Sequence, residues 1–310
     1  MIAAPLKSEK TVPAIPTLPP WIASQLPSDI TQLQYDCGRL RMHALSRGAP
    51  GKPLVLMVHG NPTWSFLYRK VMGGLDDLYL VAPDLIGLGL SDRPSSPRAH
   101  RLDQHGRWLG AFIDQLPPGP IVGVVQDWGG AVLMRALLDR PERLAGLVVL
   151  NTVLTAPRPG FRPTLFHRLT GLSGPHDWVL RRAGVIEGNL HLAQGDKDSI
   201  RGQVREAYRW PLRDMQKNHA PLALSRMVPS SMAHPSVAPL QRIERWLERW
   251  DGPAEIVWGT RDPVLGRLLR RTSRLLPQAR VTETEAGHFL QEEVPEAIAE
   301  AINRVVAACP

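Results

Sequence analysis

The sequence predicts an α/β fold: a mostly parallel sheet flanked by helices, with a helical cap inserted in it. Three observations lead there. From Leu54 onward, short apolar runs alternate with helical patterns, the rhythm of a parallel sheet joined by crossover helices. Several runs are apolar at almost every position, as strands covered on both faces must be. One interval, from Thr155 to about Asp251, is far longer than a crossover needs and has helical patterns of its own.

In order, the candidate strands are LVLMVH (54–59), LYLVAPD (78–84), IVGVVQD (121–127), LAGLVVLNT (144–152), AEIVWGTRD (254–262) and ARVTETEAGH (279–288). A helix is expected over 129–138. Another is expected where Ile243, Trp246, Leu247 and Trp250 recur at helical spacing. The last helix is expected to start at Pro295, since proline suits a first turn, with Ile298, Ile302 and Val305 on one face. This divides the chain into an amino-terminal extension (1–30), a core (31–154 and 236–310) and a cap (155–235). The cap follows a strand's carboxyl end, where open α/β sheets place their ligands, so it is expected to roof the site. Whether the proline-rich extension docks on the body stays open.

A chain of 310 residues can bury one large core, and 43% hydrophobic with 21% charged residues is the balance of a globular protein. The formal charge of +8 would suit a polyanion. However, the basic residues are scattered arginines, with local clusters only at Arg181-Arg182 and at Arg267 with Arg270-Arg271. No basic run is interleaved with aromatics, so nucleic acid is not expected as a partner. Two cysteines, Cys37 and Cys309, are too few for a disulfide framework, which favours a reducing compartment. The first thirty residues hold no continuous apolar stretch, so neither a signal peptide nor a transmembrane segment is expected and the cytoplasm is the default location.

The chemistry concentrates at VQDWGG (125–130), which follows an apolar strand and opens a helix. That is the layout of a nucleophile elbow, a sharp turn that exposes one side chain between small neighbours. Here the exposed residue is Asp127. Ser91 lies in a loop and not on such a turn. A carboxylate needs no base to attack an sp³ carbon, but the ester it forms must then be hydrolysed. Hydrolysis calls for a histidine to deprotonate water, an acid to orient it and donors for the oxyanion. Of ten histidines, His288 sits just past the last strand and before the final helix, which is the base position of such folds. The orienting acid should lie between nucleophile and base in the chain, and Asp262 at the end of the preceding strand fits. The other available strand end, after LVVLNT, offers only Asn151 and Thr152. Taken singly, an Asp-Trp-Gly is often a turn and a histidine after glycine often a cap. Three such residues in the right order on three strand ends outweigh that reading.

Four segments, HGNPTWSFLYR (59–69), DLIGLGLSD (84–92), QDWGG (126–130) and GHFLQEE (287–293), resemble motifs of the haloalkane dehalogenases, and the resemblance runs over 35–307. It implies the α/β-hydrolase fold, with an eight-stranded, mostly parallel sheet and a helical cap. It implies Asp127 as nucleophile, His288 as base and Asp262 as triad acid. It also implies that the Trp128 indole N–H and the Asn61 amide face the departing halide, and that the backbone N–H groups of both residues form the oxyanion hole. The partners implied are a small apolar substrate and the halide product; no cofactor or metal is called for, and self-association stays open. Asparagine after His-Gly, with the acid on the penultimate strand, resembles the third subfamily. That group is also similar to the β-lactone decarboxylases of long-chain olefin biosynthesis, so a decarboxylase yielding an alkene and carbon dioxide is the alternative. Epoxide hydrolases need two cap tyrosines, and the cap has only Tyr208, the others being Tyr35, Tyr68 and Tyr79. A noncatalytic ligand-binding protein would have no need of the triad. Trp64 and Phe66 are expected under or beside the pocket. In the cap, Trp178, Leu180, Leu190, Leu192, Trp210, Leu212, Leu222, Leu224 and Met227 are apolar enough to line a chamber, though most should be packing.

Overall fold

The computed structural model describes residues 15–158, 160–161, 188–213 and 218–309. The strands are β1 (Thr31–Cys37), β2 (Leu40–Arg47), β3 (Leu54–Val58), β4 (Tyr79–Pro83), β5 (Ile121–Asp127), β6 (Leu144–Thr152), β7 (Ala254–Gly259) and β8 (Arg280–Thr284). They form one eight-stranded sheet in the order β1-β2-β4-β3-β5-β6-β7-β8. β1, β2 and β4 pair antiparallel, and every pairing from β4 through β3 to β8 is parallel.

The six strands expected from Leu54 onward are all present. The β1–β2 hairpin is the addition. Its two segments, TQLQYDC and LRMHALSR, mix polar and apolar residues, because an edge of the sheet needs burial on only part of its surface. The hairpin closes on Gly38 and Arg39, with Gly38 in the left-handed region at φ 82° that tight two-residue turns require.

The helices are α1 (Pro20–Ala23), α2 (Arg69–Gly73), α3 (Leu102–Ile113), α4 (Trp128–Leu137), α5 (Gly202–Arg209), α6 (Ala220–Ser225), α7 (Val237–Leu247), α8 (Leu269–Leu275), α9 (Leu290–Glu293) and α10 (Pro295–Ala308). α10 begins at the expected proline, and Ile298, Ile302 and Val305 are its buried face. None of the described helices is long and apolar enough to cross a membrane.

Strand alternation sends side chains to two cores. Leu54, Leu56 and Val58 join α3, α4 and α7 on one face of the sheet, through Phe112, Leu133 and Ile243. Val55 and Met57 join α2 and α10 on the other, through Val71, Ile298 and Ile302. Each aliphatic side chain fully buried this way contributes about 1.5–3 kcal/mol. The extension is anchored from its described start: Leu18 and Ile22 are buried in the second core, and Asp29 pairs with Arg47 at 2.8 Å.

Candidate active site

β5 ends at a register shift against β6 between Val125 and Asp127, an irregularity that re-aims the chain before α4 begins at Trp128. Asp127 is held at φ 49°, ψ −125°, outside the regions that L residues favour. Such strain costs of order 1–3 kcal/mol and persists only where the surroundings enforce it. The enforcement is visible. A Cβ at Gly129 would run into the Val58 carbonyl, one at Gly130 into Thr152, and one at Gly60 into the Asp127 carboxylate itself. The Thr152 hydroxyl donates to the Asp127 carbonyl. The carboxylate stands at the amino end of α4, whose dipole favours negative charge.

Around it the three residues expected to act together do meet. Asp127 Oδ1 accepts the Asn61 backbone N–H at 2.8 Å, while Oδ2 lies 3.6 Å from His288 Nε2. The other face of the ring, Nδ1, lies 2.8 Å from Asp262 Oδ2. Asp262 Oδ1 accepts the Val264 N–H at 2.7 Å, and Oδ2 also accepts from the Asn151 amide at 2.8 Å. Burial alone would push His288 down. The Asp262 and Asp127 carboxylates override it and raise the imidazole to about 10. Burial would raise Asp262, but His288, Asn151 and the Val264 N–H hold it below the ordinary carboxylate range.

Two residues that sequence reasoning did not assign complete this shell. Asn151, considered only as a failed candidate for the acid, braces the acid: its amide also donates to the Gly259 carbonyl at 2.9 Å and accepts the Gly259 N–H at 2.8 Å. Gln126 donates to the His288 carbonyl at 3.0 Å, and the same amide nitrogen lies 3.3 Å from His288 Nε2. Its position next to the elbow aspartate was the one available signal.

The loop that carries Asn61 is fixed from below. His59 is buried, bonds the Gly60 carbonyl through Nδ1 at 2.7 Å and accepts the Leu85 N–H on Nε2 at 2.9 Å. Asp84 accepts the Ser65 N–H at 2.7 Å and pairs with His43 at 2.8 Å. The Ser91 hydroxyl donates to the Asp84 carbonyl at 2.6 Å, so this serine is a brace and not a second nucleophile.

Asn61, Trp128, Asp127 and His288 line a chamber of about 350 Å³, with apolar walls that include Val153, Leu190, Val228, Leu240, Leu265 and Phe289. Trp128 is buried, and its indole N–H meets no acceptor among the described residues. The Asn61 amide is placed differently. Its nitrogen donates to the Pro221 carbonyl at 2.9 Å and to Ser225 Oγ at 3.2 Å, both on α6, and its Oδ1 is buried without a partner.

Of the cap residues expected at the chamber, Leu190 and Leu192 line it. Leu212, Leu222, Leu224 and Met227 are buried packing, and Trp210 packs on the second core. Trp178 and Leu180 lie outside the described residues. Trp64 and Phe66 stack at 5.4 Å within the core, and the Trp64 indole donates to the Ala207 carbonyl at 3.1 Å. Tyr208 spends its hydroxyl on Glu292 Oε1 at 2.5 Å and does not line the chamber.

An elbow aspartate at the end of β5, a second acid after β7 and a histidine after β8 define the class: the chain is an α/β hydrolase, and the family model for the alpha/beta hydrolase fold matches residues 53–295. Among curated proteins it is 31% identical over 288 residues to a haloalkane dehalogenase of Mycolicibacterium paratuberculosis, covering 91% of this chain and 92% of the relative. It is 32% identical to one of Mycobacterium marinum, covering 86% and 89%. The solved tetrameric haloalkane dehalogenase DpaA of Paraglaciecola agarilytica NO2 superposes with a TM-score of 0.78 at 25% identity, covering 92% of this chain and 96% of that one. The chain belongs to the haloalkane dehalogenase family.

Proposed function

We propose that the protein hydrolyses carbon–halogen bonds of haloalkanes to an alcohol and a halide ion, with Asp127 as nucleophile, His288 as base and Asp262 as its orienting acid. The observation that carries this reading is one carboxylate with its two oxygens differently placed. Oδ1 is held by the Asn61 N–H, and Oδ2 stands toward His288 on a chamber also lined by Trp128, whose indole N–H has no acceptor among the described residues.

In the first step an Asp127 oxygen bonds to the carbon as the carbon–halogen bond breaks, the electron pair leaving with the halide. A halide needs no proton, so a neutral donor in a dry pocket suits it better than an acid. Trp128 supplies that donor directly. Asn61 joins by giving up its longer bond to Ser225. Ester formation removes the negative charge of Asp127 and with it one cause of the raised His288, which moves the ring toward its neutral, basic form. In the second step water bonds to the Asp127 carbonyl carbon and gives a proton to His288 Nε2. Charge gathers on the oxygen held by the Asn61 N–H; the alkyl oxygen then leaves with a proton, and the aspartate is restored.

The relatives' names support dehalogenation over the β-lactone reading, and the commitment of Tyr208 to Glu292 weighs against epoxide opening. We assign 155–235 as the cap, on the ground that its described residues Leu190, Leu192 and Val228 line the chamber. Cys37 and Cys309 are free thiols, which fits a reducing, cytoplasmic setting.

The test is His288→Ala exposed to a bromoalkane. The variant is expected to gain the mass of one alkyl group per chain and to keep it. An unchanged mass alongside an active wild type rejects the scheme.

A further inference from the structure

One wall of the chamber does not match an apolar ligand. Arg267 and Arg271 both line it, four residues apart on the turn that leads into α8 and on its first helical turns, a spacing that puts both on the same side. Arg271 donates to Glu244 Oε1 at 2.8 Å, yet its Nε–H is buried without a partner. The second oxygen of Glu244 is already taken, accepting the Ala156 N–H at 3.0 Å. Arg267 stands over the Phe161 ring, 6.0 Å from its centroid, and is paired with no carboxylate among the described residues. Of the two guanidinium groups only that of Arg271 has a carboxylate partner among the described residues, and the exposed Arg267 brings its charge to the rim of a space whose neighbouring walls are Val264, Leu265 and Leu268.

Neither feature helps to bind a plain haloalkane. The Arg271 Nε–H is closed to solvent and so to a ligand oxygen as well, whereas the Arg267 charge is open to the chamber, and a charge beside apolar walls favours a counter-ion. A ligand carboxylate would answer the Arg267 charge, because a carboxylate meets the planar guanidinium fork with two parallel hydrogen bonds. Asp127 is itself an anion, so such a head group must sit on the arginine wall and not at the nucleophile.

We propose that the preferred substrates are amphiphilic: haloalkanes whose chain carries a carboxylate, the carboxylate seated on the Arg267 guanidinium with Arg271 beside it while the carbon–halogen bond lies at Asp127. This rests on the dehalogenase reading above, and the chemistry at the reacting carbon is unchanged by it. The arginine wall sets which chains are held in register for attack.

The experiment compares kcat/KM for 6-bromohexanoate, 6-bromohexanamide and 1-bromohexane in wild type and in Arg267→Glu and Arg267→Lys. Wild type is expected to prefer the bromo acid to its neutral amide. Loss of a charge-assisted contact predicts a fall of ~10- to 100-fold in the acid-to-amide ratio for Arg267→Glu, with the lysine variant between the two. Hexanoate is expected to inhibit 1-bromohexane turnover competitively in wild type, and far more weakly in Arg267→Glu. A wild type that turns over 1-bromohexane but shows no preference for the acid overturns the proposal and leaves dehalogenation standing. So does an acid-to-amide ratio that the glutamate substitution does not move. Turnover of none of the three substrates overturns both.

Discussion

Gln126 keeps one amide nitrogen 3.0 Å from the carbonyl oxygen and 3.3 Å from the ring Nε2 of His288, so the residue that precedes the elbow aspartate grips the base from two sides. An amide N–H facing Nε2 matches a lone pair there and opposes a second ring proton. With Nδ1 directed at Asp262, the contact favours the neutral tautomer that hydrolysis of the ester needs. Gln126→Glu replaces that donor with an anionic acceptor and should stabilise the imidazolium. The pH at which ester hydrolysis reaches half its maximum, read in single turnovers, is expected to rise by about one unit or more. A slower reaction with an unmoved pH profile would reduce Gln126 to packing.

The same electrostatics give a stability prediction with a definite sign. His288 is raised from 6.5 to about 10 by Asp262 and Asp127 against the effect of burial. A raised folded-state value means that the folded form holds the proton more tightly than the unfolded form. The resulting stabilisation is complete below about 6.5, shrinks as pH climbs and is gone above about 10. Asp127→Asn removes one of the two carboxylates responsible. The difference in Tm between wild type and this variant should therefore narrow from pH 6 to pH 10, and a difference that widens would contradict the assignment.

The two side-chain donors expected at the halide should not be equal. Trp128 offers an N–H with no competing acceptor among the described residues, whereas the Asn61 amide is already shared between Pro221 and Ser225. Trp128→Phe is expected to slow halide release by roughly 10²-fold or more, the scale for loss of one preorganised donor. Asn61→Ala should cost less in that step. Ser225→Ala frees one amide hydrogen and should hold or raise the rate. Rapid-mixing measurement of the halide burst decides the order, and an Asn61 effect larger than that of Trp128 would reverse it.

What was legible in the sequence follows from what each position must satisfy locally. The parallel strands announced themselves because burial on both faces leaves them almost no polar residues, as in LVLMV and IVGVV. The meeting of Asp127, Asp262 and His288 was legible because the fold fixes where each strand ends, so the three could be placed by order alone. The β1–β2 hairpin was missed because its mixed pattern is that of an edge. Asn151 and Gln126 were missed as partners because their roles depend on contacts spanning 111 and 162 residues of chain. The Asn61 amide was expected to face the halide; its link to α6 arises from a cap contact 160 residues away. Such pairings have no period and no spacing, so nothing in the linear sequence marks them.

A buried ionic network ties the same site to the cap. Arg69 and Glu292 form a two-pronged pair at 2.5 and 3.0 Å, the Tyr208 hydroxyl joins Glu292 at 2.5 Å, and Lys70 closes the group at 3.1 Å. Arg69 and Glu292 are almost fully buried, with side-chain exposures of 4% and 0%. Tyr208 comes from α5, Arg69 follows the loop of Asn61, and Glu292 lies one helical turn after His288, so three segments that frame the chamber meet at one carboxylate. Burial opposes the Arg69 charge, and Glu292 more than offsets it. Glu292→Gln leaves that guanidinium without its counter-charge, which should cost ~3–5 kcal/mol of folding stability. Replacing both partners, as Arg69→Met with Glu292→Leu, removes the stranded charge and should recover part of the loss. Urea unfolding of the single and double variants measures the coupling. Equal losses that merely add would mean that the network contributes packing alone, and that the position of the cap does not depend on this charge.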